Sequence, residues 1–188
     1  MSELGGAGRK LIVLDRDGVI NADSDDYVKS PEEWRPLPGS LDAIARLGRA
    51  GYDVVVATNQ SGVGRGLFTA EALEAIHVRM CADVAAAGGA IAAIYVCPHV
   101  PEDDCACRKP RPGLLAQIAR DFDRPLAGVP FVGDKLTDVQ AAVAAGARPI
   151  FILSEERAAD AAPARALGAA VHASLAQAVE ALLREQPA

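Results

Sequence analysis

The sequence predicts an α/β fold, a three-layer Rossmann-like domain whose sheet is mostly parallel. Three observations predict it. Short β-branched runs recur along the chain, these runs lack the polar alternation of half-exposed strands, and helical patterns separate them. In such a fold ligands bind beyond the carboxyl ends of the strands, so function is sought in the residues that follow each run.

The first run is Leu11 to Leu14, followed by an irregular stretch from Asn21 to Gly39 and a helix over Ser40 to Ala50, with Leu41, Ile44 and Leu47 in phase. Asp53 to Ala57 forms the second strand. Thr69 then caps a long helix over Ala70 to Ala87. A third strand spans Ile91 to Val96, and a second irregular stretch, Pro98 to Pro112, leads into a helix over Gly113 to Phe122. Loops of that length in a compact domain are functional or disordered. Pro130 to Val132 is the fourth strand, and the helix after it, Asp138 to Ala145, takes Thr137 as its cap. Pro149 to Leu153 is the fifth. Glu155 to Ala166, interrupted by Pro163, reads as one broken helix or two short ones. A weak strand, Ala169 to Val171, precedes a last helix that opens with a capping box of Ser174 and Gln177.

The 188 residues favour one domain, 1–188. A composition 51% hydrophobic but only 4% aromatic describes a globular core of small and aliphatic side chains, which excludes a disordered chain. A formal charge of -6 argues against a nucleic-acid or anionic-lipid surface, though a local cationic pocket remains compatible with it. The run Leu11 to Leu14 is too short for a signal peptide, and no stretch approaches the roughly 20 apolar residues of a membrane span. A cytoplasmic monomer without nucleic-acid or membrane partners is expected.

The first strand runs into Asp15-Arg16-Asp17-Gly18, and residues two apart on an extended chain face the same side. Alone this would read as a solvated turn. The second strand, however, ends in Thr58-Asn59-Gln60-Ser61-Gly62, whose hydroxyls and backbone N–H groups suit phosphate oxygens. The fourth ends in Gly133-Asp134-Lys135. Three strands thus deliver acidic or phosphate-binding groups to one sheet edge, where a divalent cation would neutralise the carboxylates. Arg108-Lys109-Pro110 adds cations just before a helix. Asp138 is either a carboxylate supporting this site or a first-turn residue favoured by the helix dipole.

Cys97, His99, Cys105 and Cys107 lie within eleven residues, on a loop stiffened by Pro98 and Pro101. The pattern fits a closed, structural Cys₃His zinc site, and three cysteines cannot pair off among themselves. Zinc on the loop 97–107 would fix the adjacent Arg108 and Lys109 in space. Cys81, on a helix, reads as a small core residue.

In this order, Asp15-x-Asp17-Gly18, Thr58, Lys109 and Gly133-Asp134 resemble the four motifs of the haloacid dehalogenase superfamily of phosphotransferases. The resemblance implies that Asp15 is the nucleophile that becomes an aspartyl-phosphate and that Asp17 is the general acid and base. It further implies Mg²⁺ on the Asp15 carboxylate, the Asp17 backbone carbonyl and Asp134, with Thr58 and Lys109 on the transferring phosphoryl oxygens. Neither gap between motifs has room for the cap domain most members carry, which implies a capless, accessible site. The fuller motifs, Asp15 to Asn21, Thr58 to Gly62, Cys107 to Pro110 and Gly133 to Lys135, are similar to a narrower family of heptose bisphosphate phosphatases, with histidinol-phosphate phosphatases as close relatives. The better match implies removal of the 7-phosphate of D-glycero-D-manno-heptose 1,7-bisphosphate, in the making of nucleotide-activated heptose for lipopolysaccharide or other glycans. Histidinol phosphate is the runner-up substrate, and a catalytically idle zinc-stabilised binding module is the alternative from another class. Such a sugar bisphosphate needs a second anion site, for which Arg108, Lys135 and Arg65 are available. Asp23, Asp25, Asp26 and Tyr27 either bind sugar hydroxyls or form a solvated loop, and Asn59, Gln60 and Ser61 are further substrate-binding candidates.

Overall fold

The computed structural model describes residues 8–185; the first seven and last three residues of the expected 1–188 domain lie outside the described residues. Six strands, β1 (Lys10–Leu14), β2 (Tyr52–Asn59), β3 (Ala93–Cys97), β4 (Pro130–Gly133), β5 (Arg148–Ile152) and β6 (Ala170–His172), form one sheet in the order β3-β2-β1-β4-β5-β6. Every pairing is parallel. The chain leaves β1 first toward β2 and β3, then returns to place β4 on its other side. The crevice at that reversal opens between the carboxyl ends of β1 and β4, where doubly wound sheets bind their ligands.

Alternating side chains of the central strands feed two apolar layers. Ile12, Leu14, Val54 and Val56 pack with Ile44 and Leu47 of α1 (Ser40–Arg49), with Ile76, Met80 and Val84 of α3 (Ala70–Ala86), and with Val179 and Leu182 of α7 (Leu175–Arg184). Leu11, Val13, Val55 and Ala57 face the other way, onto Leu114 and Ile118 of α4 (Gly113–Asp121) and Ala141 and Ala142 of α5 (Leu136–Ala144). Burial on both faces explains why these strands read as continuous apolar runs. The outer strands β3 and β6 are only partly covered.

Most element bounds shift by one or two residues from the sequence reading, β2 running Tyr52–Asn59 where Asp53 to Ala57 was expected and β3 starting at Ala93 rather than Ile91. The helix after β4 starts at Leu136 and is capped at Lys135 rather than Thr137, because the Asp138 Oδ2 accepts the Lys135 backbone N–H at 3.0 Å. A short helix, α2 (Ser61–Gly64), follows β2 unforeseen. The 155–166 stretch resolves into a 3₁₀ segment (Glu155–Asp160) and a short helix, α6 (Ala161–Ala166), whose first turn contains Pro163 and so loses no internal hydrogen bond to it. Thr69 and Ser174 cap their helices as expected, through Ala72 N–H and Gln177 N–H. The Gln177 side chain, however, accepts from Ala173 N–H, one residue before the cap.

Between β1 and β2 lie only the 15–39 loop and α1, and between β2 and Lys109 only α2, α3 (Ala70–Ala86), β3 and the Cys/His loop, so neither gap holds a cap domain among the described residues. That loop is held at Trp34, which is buried against the core and donates its indole N–H to Asp83 Oδ2 on α3 at 3.0 Å. No helix among the described residues is long and apolar enough to cross a membrane.

Candidate active site

Asp15 follows β1 directly and is 5% exposed; its backbone N–H is tied to Val132 O of β4 at 2.8 Å. Asp134 follows β4 across the crevice. Gly18 occupies a left-handed turn (φ 76°), and a Cβ there would lie 2.3 Å from Asp134 Oδ2, so the turn and the second carboxylate both require glycine.

Lys109 reaches this centre from the far end of the Cys/His loop. Its buried Nζ lies 2.9 Å from Asp15 Oδ1, 2.6 Å from Asp138 Oδ1 and 2.9 Å from Ala57 O, so three acceptors match the three donors of the ammonium. Asp138 therefore satisfies both readings left open by the sequence: one oxygen caps α5 and the other pairs with Lys109.

Asp17 is built differently. Arg16 Nε and Nη2 grip its carboxylate at 3.0 to 3.1 Å, Asn21 Nδ2 donates at 2.9 Å, and Gln60 Nε2 donates at 2.7 Å. Burial pushes the Asp17 carboxyl upward, but Arg16 and the hydrogen bonds from Asn21 and Gln60 outweigh it and hold the group below the usual carboxylate range. Burial raises Asp15 to about 6 against the pull of Lys109. Burial, with the charge of Asp15, raises Asp134 to about 8.

Those elevated values mark a site short of positive charge. Asp15, Asp134 and Asp138 each place an oxygen within 4.8 Å of the others, and the buried Asp134 Oδ1 has no hydrogen-bond partner. All-oxygen, carboxylate-rich donors suit a hard divalent cation, so the residues fit Mg²⁺. The second cluster is soft. The Sγ atoms of Cys97, Cys105 and Cys107 lie 3.3 to 3.6 Å apart, and His99 Nδ1 sits 3.2 Å from Cys107 and 3.6 Å from Cys97. These separations are far too long for a disulfide of about 2.05 Å. They approach the edges of a tetrahedral metal shell, about 3.8 Å between sulfurs for metal–sulfur bonds of about 2.3 Å.

The structure thus brings Asp15, Asp17, Thr58, Lys109 and Asp134 to one sheet edge. Of the residues expected to bind substrate, Asn59 and Gln60 contact other members of the site. Asn59 brackets the Lys109 backbone, accepting its N–H and donating to its carbonyl at 3.2 Å each, while Gln60 Nε2 spans Asp17 and Thr58 Oγ1. Through these bonds both amides help position other site residues. Asp23 and Lys135, expected as separate substrate contacts, form an ion pair at 2.9 Å, joined by Arg157 at 3.5 Å. Tyr27 sits at the loop bend with its ring 6.4 Å from that of Phe68, Ser61 begins α2, and Arg65 is exposed at its end. Arg108 Nη1 donates to His99 O at 3.1 Å.

Arg16, Asn21 and Arg157 were not singled out from the sequence. The first two stand inside the Asp15-to-Asn21 motif, whose spacing is a usable signal; Arg157 lies in an Ala-rich stretch that carries none. Two hollows flank the site. One of about 550 Å³ is lined by Gly18, Asp23, Asp134, Ser154, Arg157 and Ser174 among others, and one of about 260 Å³ by Pro101, Asp104, Cys105, Arg108, Lys109 and Arg111 with Pro110.

A HAD-hydrolase-like family model matches residues 106–178. A Bordetella bronchiseptica protein named D-glycero-beta-D-manno-heptose-1,7-bisphosphate 7-phosphatase is 61% identical over 140 residues, 74% of this chain and 78% of that protein. A Pseudomonas putida protein of the same name is 54% identical, over 76% of this chain and 82% of that protein. Among solved structures, D,D-heptose 1,7-bisphosphate phosphatase from B. bronchiseptica complexed with magnesium and phosphate superposes with a TM-score of 0.86 and 52% identity, covering 94% of this chain and 99% of that one. These relatives are named for a heptose bisphosphate and not for histidinol phosphate, which sets the runner-up substrate aside; an idle binding module falls with it. The chain belongs to the D-glycero-beta-D-manno-heptose-1,7-bisphosphate 7-phosphatase family of HAD-like hydrolases.

Proposed function

We propose that this chain is a Mg²⁺-dependent phosphatase that removes the 7-phosphate of D-glycero-beta-D-manno-heptose 1,7-bisphosphate through an aspartyl-phosphate on Asp15. The observation that carries the reading is the buried Asp15 carboxylate, held at 2.9 Å by Lys109 and facing Asp134 across the crevice between β1 and β4.

An Asp15 oxygen attacks phosphorus as the bond to the sugar oxygen breaks. Asp17, ionised in the free site but driven to take up a proton by the negative charge of the incoming phosphoryl group, delivers that proton to the leaving oxygen. Asp17 then takes a proton from water, whose oxygen attacks phosphorus and frees phosphate and Asp15. Lys109 orients the nucleophile and offers positive charge to the transferring group, and Thr58 Oγ1 offers a hydroxyl beside it. When bound by the Asp15 and Asp134 carboxylates and the Asp17 carbonyl, Mg²⁺ supplies charge neutralisation for the carboxylates and the phosphoryl oxygens. Gln60, Asn21 and Arg16 hold Asp17 at its station.

The substrate reading is supported by the names of relatives above 50% identity, which also favour the β anomer. Arg108 receives the phosphate that is not transferred, a reading supported by its position beside Lys109 and its bond to the His99 carbonyl. Cys97, His99, Cys105 and Cys107 hold one structural Zn²⁺, whose closed shell leaves no position for catalysis. The product keeps its anomeric phosphate, as nucleotidyl transfer to an activated heptose requires. The enzyme acts as a cytoplasmic monomer. A turnover screen over both heptose 1,7-bisphosphate anomers, heptose 7-phosphate, fructose 1,6-bisphosphate and histidinol phosphate tests the reading; the highest kcat/KM is expected on the β-heptose bisphosphate, and a preference for any other compound overturns it.

A further inference from the structure

Arg16 is among the largest side chains buried in this protein, 1% exposed, and a guanidinium so placed needs an acceptor for each edge it presents. Its Nε and Nη2 edge is used by Asp17. Its other terminal nitrogen, Nη1, faces His77 Nε2 at 3.4 Å. A guanidinium has no lone pair to offer, so the imidazole must accept through Nε2 and carry its proton on Nδ1. Burial and the charge of Arg16 lower His77 to about 4, so the ring is neutral, as an acceptor must be.

His77 is itself only 5% exposed and stands on α3, a helix fixed by Ile76, Met80 and Val84 in the core and by the Trp34–Asp83 hydrogen bond. The ring is therefore a rigid stop. Three groups are linked from helix to site: the imidazole on α3, the guanidinium of Arg16, and the carboxylate of Asp17. Without an acceptor at His77, Arg16 keeps an unpaired N–H pair in the core and is free to rotate its planar fork off the carboxylate.

We propose that His77 is a positioning residue for proton transfer, locking the Arg16 fork so that Asp17 stays aligned on the leaving oxygen. The inference rests on the reading of Asp17 as proton carrier.

The test exploits the leaving group. A sugar alkoxide needs protonation as it departs, whereas p-nitrophenolate leaves without it, and kcat/KM reports steps up to phosphoryl transfer. His77→Leu, which keeps bulk but offers no acceptor, is expected to lower kcat/KM on heptose 1,7-bisphosphate about tenfold while p-nitrophenyl phosphate changes by less than about twofold. His77→Gln, which restores an acceptor, is expected to recover most of the loss. Equal falls on both substrates, or no fall in His77→Leu, overturn the proposal. If His77→Leu does not fold, His77→Met is compared with His77→Gln by the same two ratios, and equal ratios overturn it. Asp17→Asn is measured alongside: if it keeps wild-type turnover of the bisphosphate, the reading of Asp17 fails and the role of His77 with it. If Asp17→Asn is dead and the His77 variants show no leaving-group dependence, only the inference about His77 fails.

Discussion

Lys109 Nζ sits 2.6 Å from Asp138 Oδ1, with both side chains 2% exposed. This ion pair links the Cys/His loop to the first turn of α5, and through Lys109 it sets the orientation of Asp15. Two carboxylates share one ammonium here, which raises Lys109 above its ordinary value despite its burial. Removing one partner of such a pair leaves a charge unmatched in the core.

Asp138→Ala is therefore expected to destabilise the fold by about 3 to 5 kcal/mol, the range for a broken buried pair, and to lower kcat as Lys109 loses its anchor. Asp138→Asn keeps an oxygen for the Lys135 N–H and is expected to lose less stability than Asp138→Ala. Urea denaturation of the three proteins, with kcat measured on the folded forms, checks this; an unchanged midpoint for Asp138→Ala contradicts it.

Asp15→Asn removes the nucleophile while keeping its shape. Turnover is expected to be abolished, with the circular dichroism spectrum and the thermal transition retained. Near wild-type kcat would remove Asp15 from the covalent role.

Much of this centre was legible in the sequence because strand ends can be read from apolar runs. Asp15, Thr58 and Asp134 each follow such a run, and the strand order then brings β1 and β4 together. Asn59 and Gln60 illustrate what was not legible. They occupy the right strand end, but whether an amide turns toward a ligand or toward Lys109 and Asp17 depends on tertiary partners 43 to 50 residues away. His77 is further removed still: on α3 it looks like any residue of a helix face, and its meaning comes from Arg16, 61 residues earlier. The Asp23–Lys135 pair was hidden for the same reason, since each residue alone resembles a free charge.

Mg²⁺ is expected to stabilise the protein in a pH-dependent way. Asp134 is raised from its ordinary 3.8 to about 8 by burial and the nearby Asp15 charge. A carboxyl raised on folding favours the folded state below its unfolded value, and that stability is lost as pH climbs through the folded value. Metal-free protein should thus lose stability between about pH 4 and pH 8 from this group. A cation that neutralises the ionised carboxylates offsets the loss, so the rise in Tm on adding Mg²⁺ should be larger at high than at low pH within that window. Thermal melts with and without Mg²⁺ at both ends check it; a larger gain at low pH would contradict the assignment.

The Cys/His cluster is expected to carry about one zinc per chain, measured by elemental analysis of reduced, purified protein. Stripping it, or Cys105→Ser, should lower Tm and activity together, because the loop that the metal closes also presents Arg108 and Lys109. Cys81→Ser should leave the zinc content unchanged, since Cys81 lies outside the cluster. Protein that contains no zinc, or loses it without consequence, would refute a structural metal.

Arg108 offers the sharpest test of substrate recognition. Its neighbour Lys109 turns inward onto Asp15, whereas the Arg108 guanidinium stays outside and is steadied by the His99 carbonyl at 3.1 Å. One bond to a carbonyl leaves the other N–H groups of the fork free to take a phosphate, with Arg111 lining the same 260 Å³ hollow. If this is the station of the phosphate that stays, Arg108→Ala should lower kcat/KM on heptose 1,7-bisphosphate by about tenfold to a hundredfold, the scale of a charge-assisted contact. A heptose 7-monophosphate and an aryl phosphate, which lack the second anion, should change little. The bisphosphate preference of the wild type would then collapse toward the monophosphate rate. Equal falls on all three substrates would instead place Arg108 with Lys109 at the reacting phosphoryl group, and the second anion site would have to lie in the other hollow, beside Arg157.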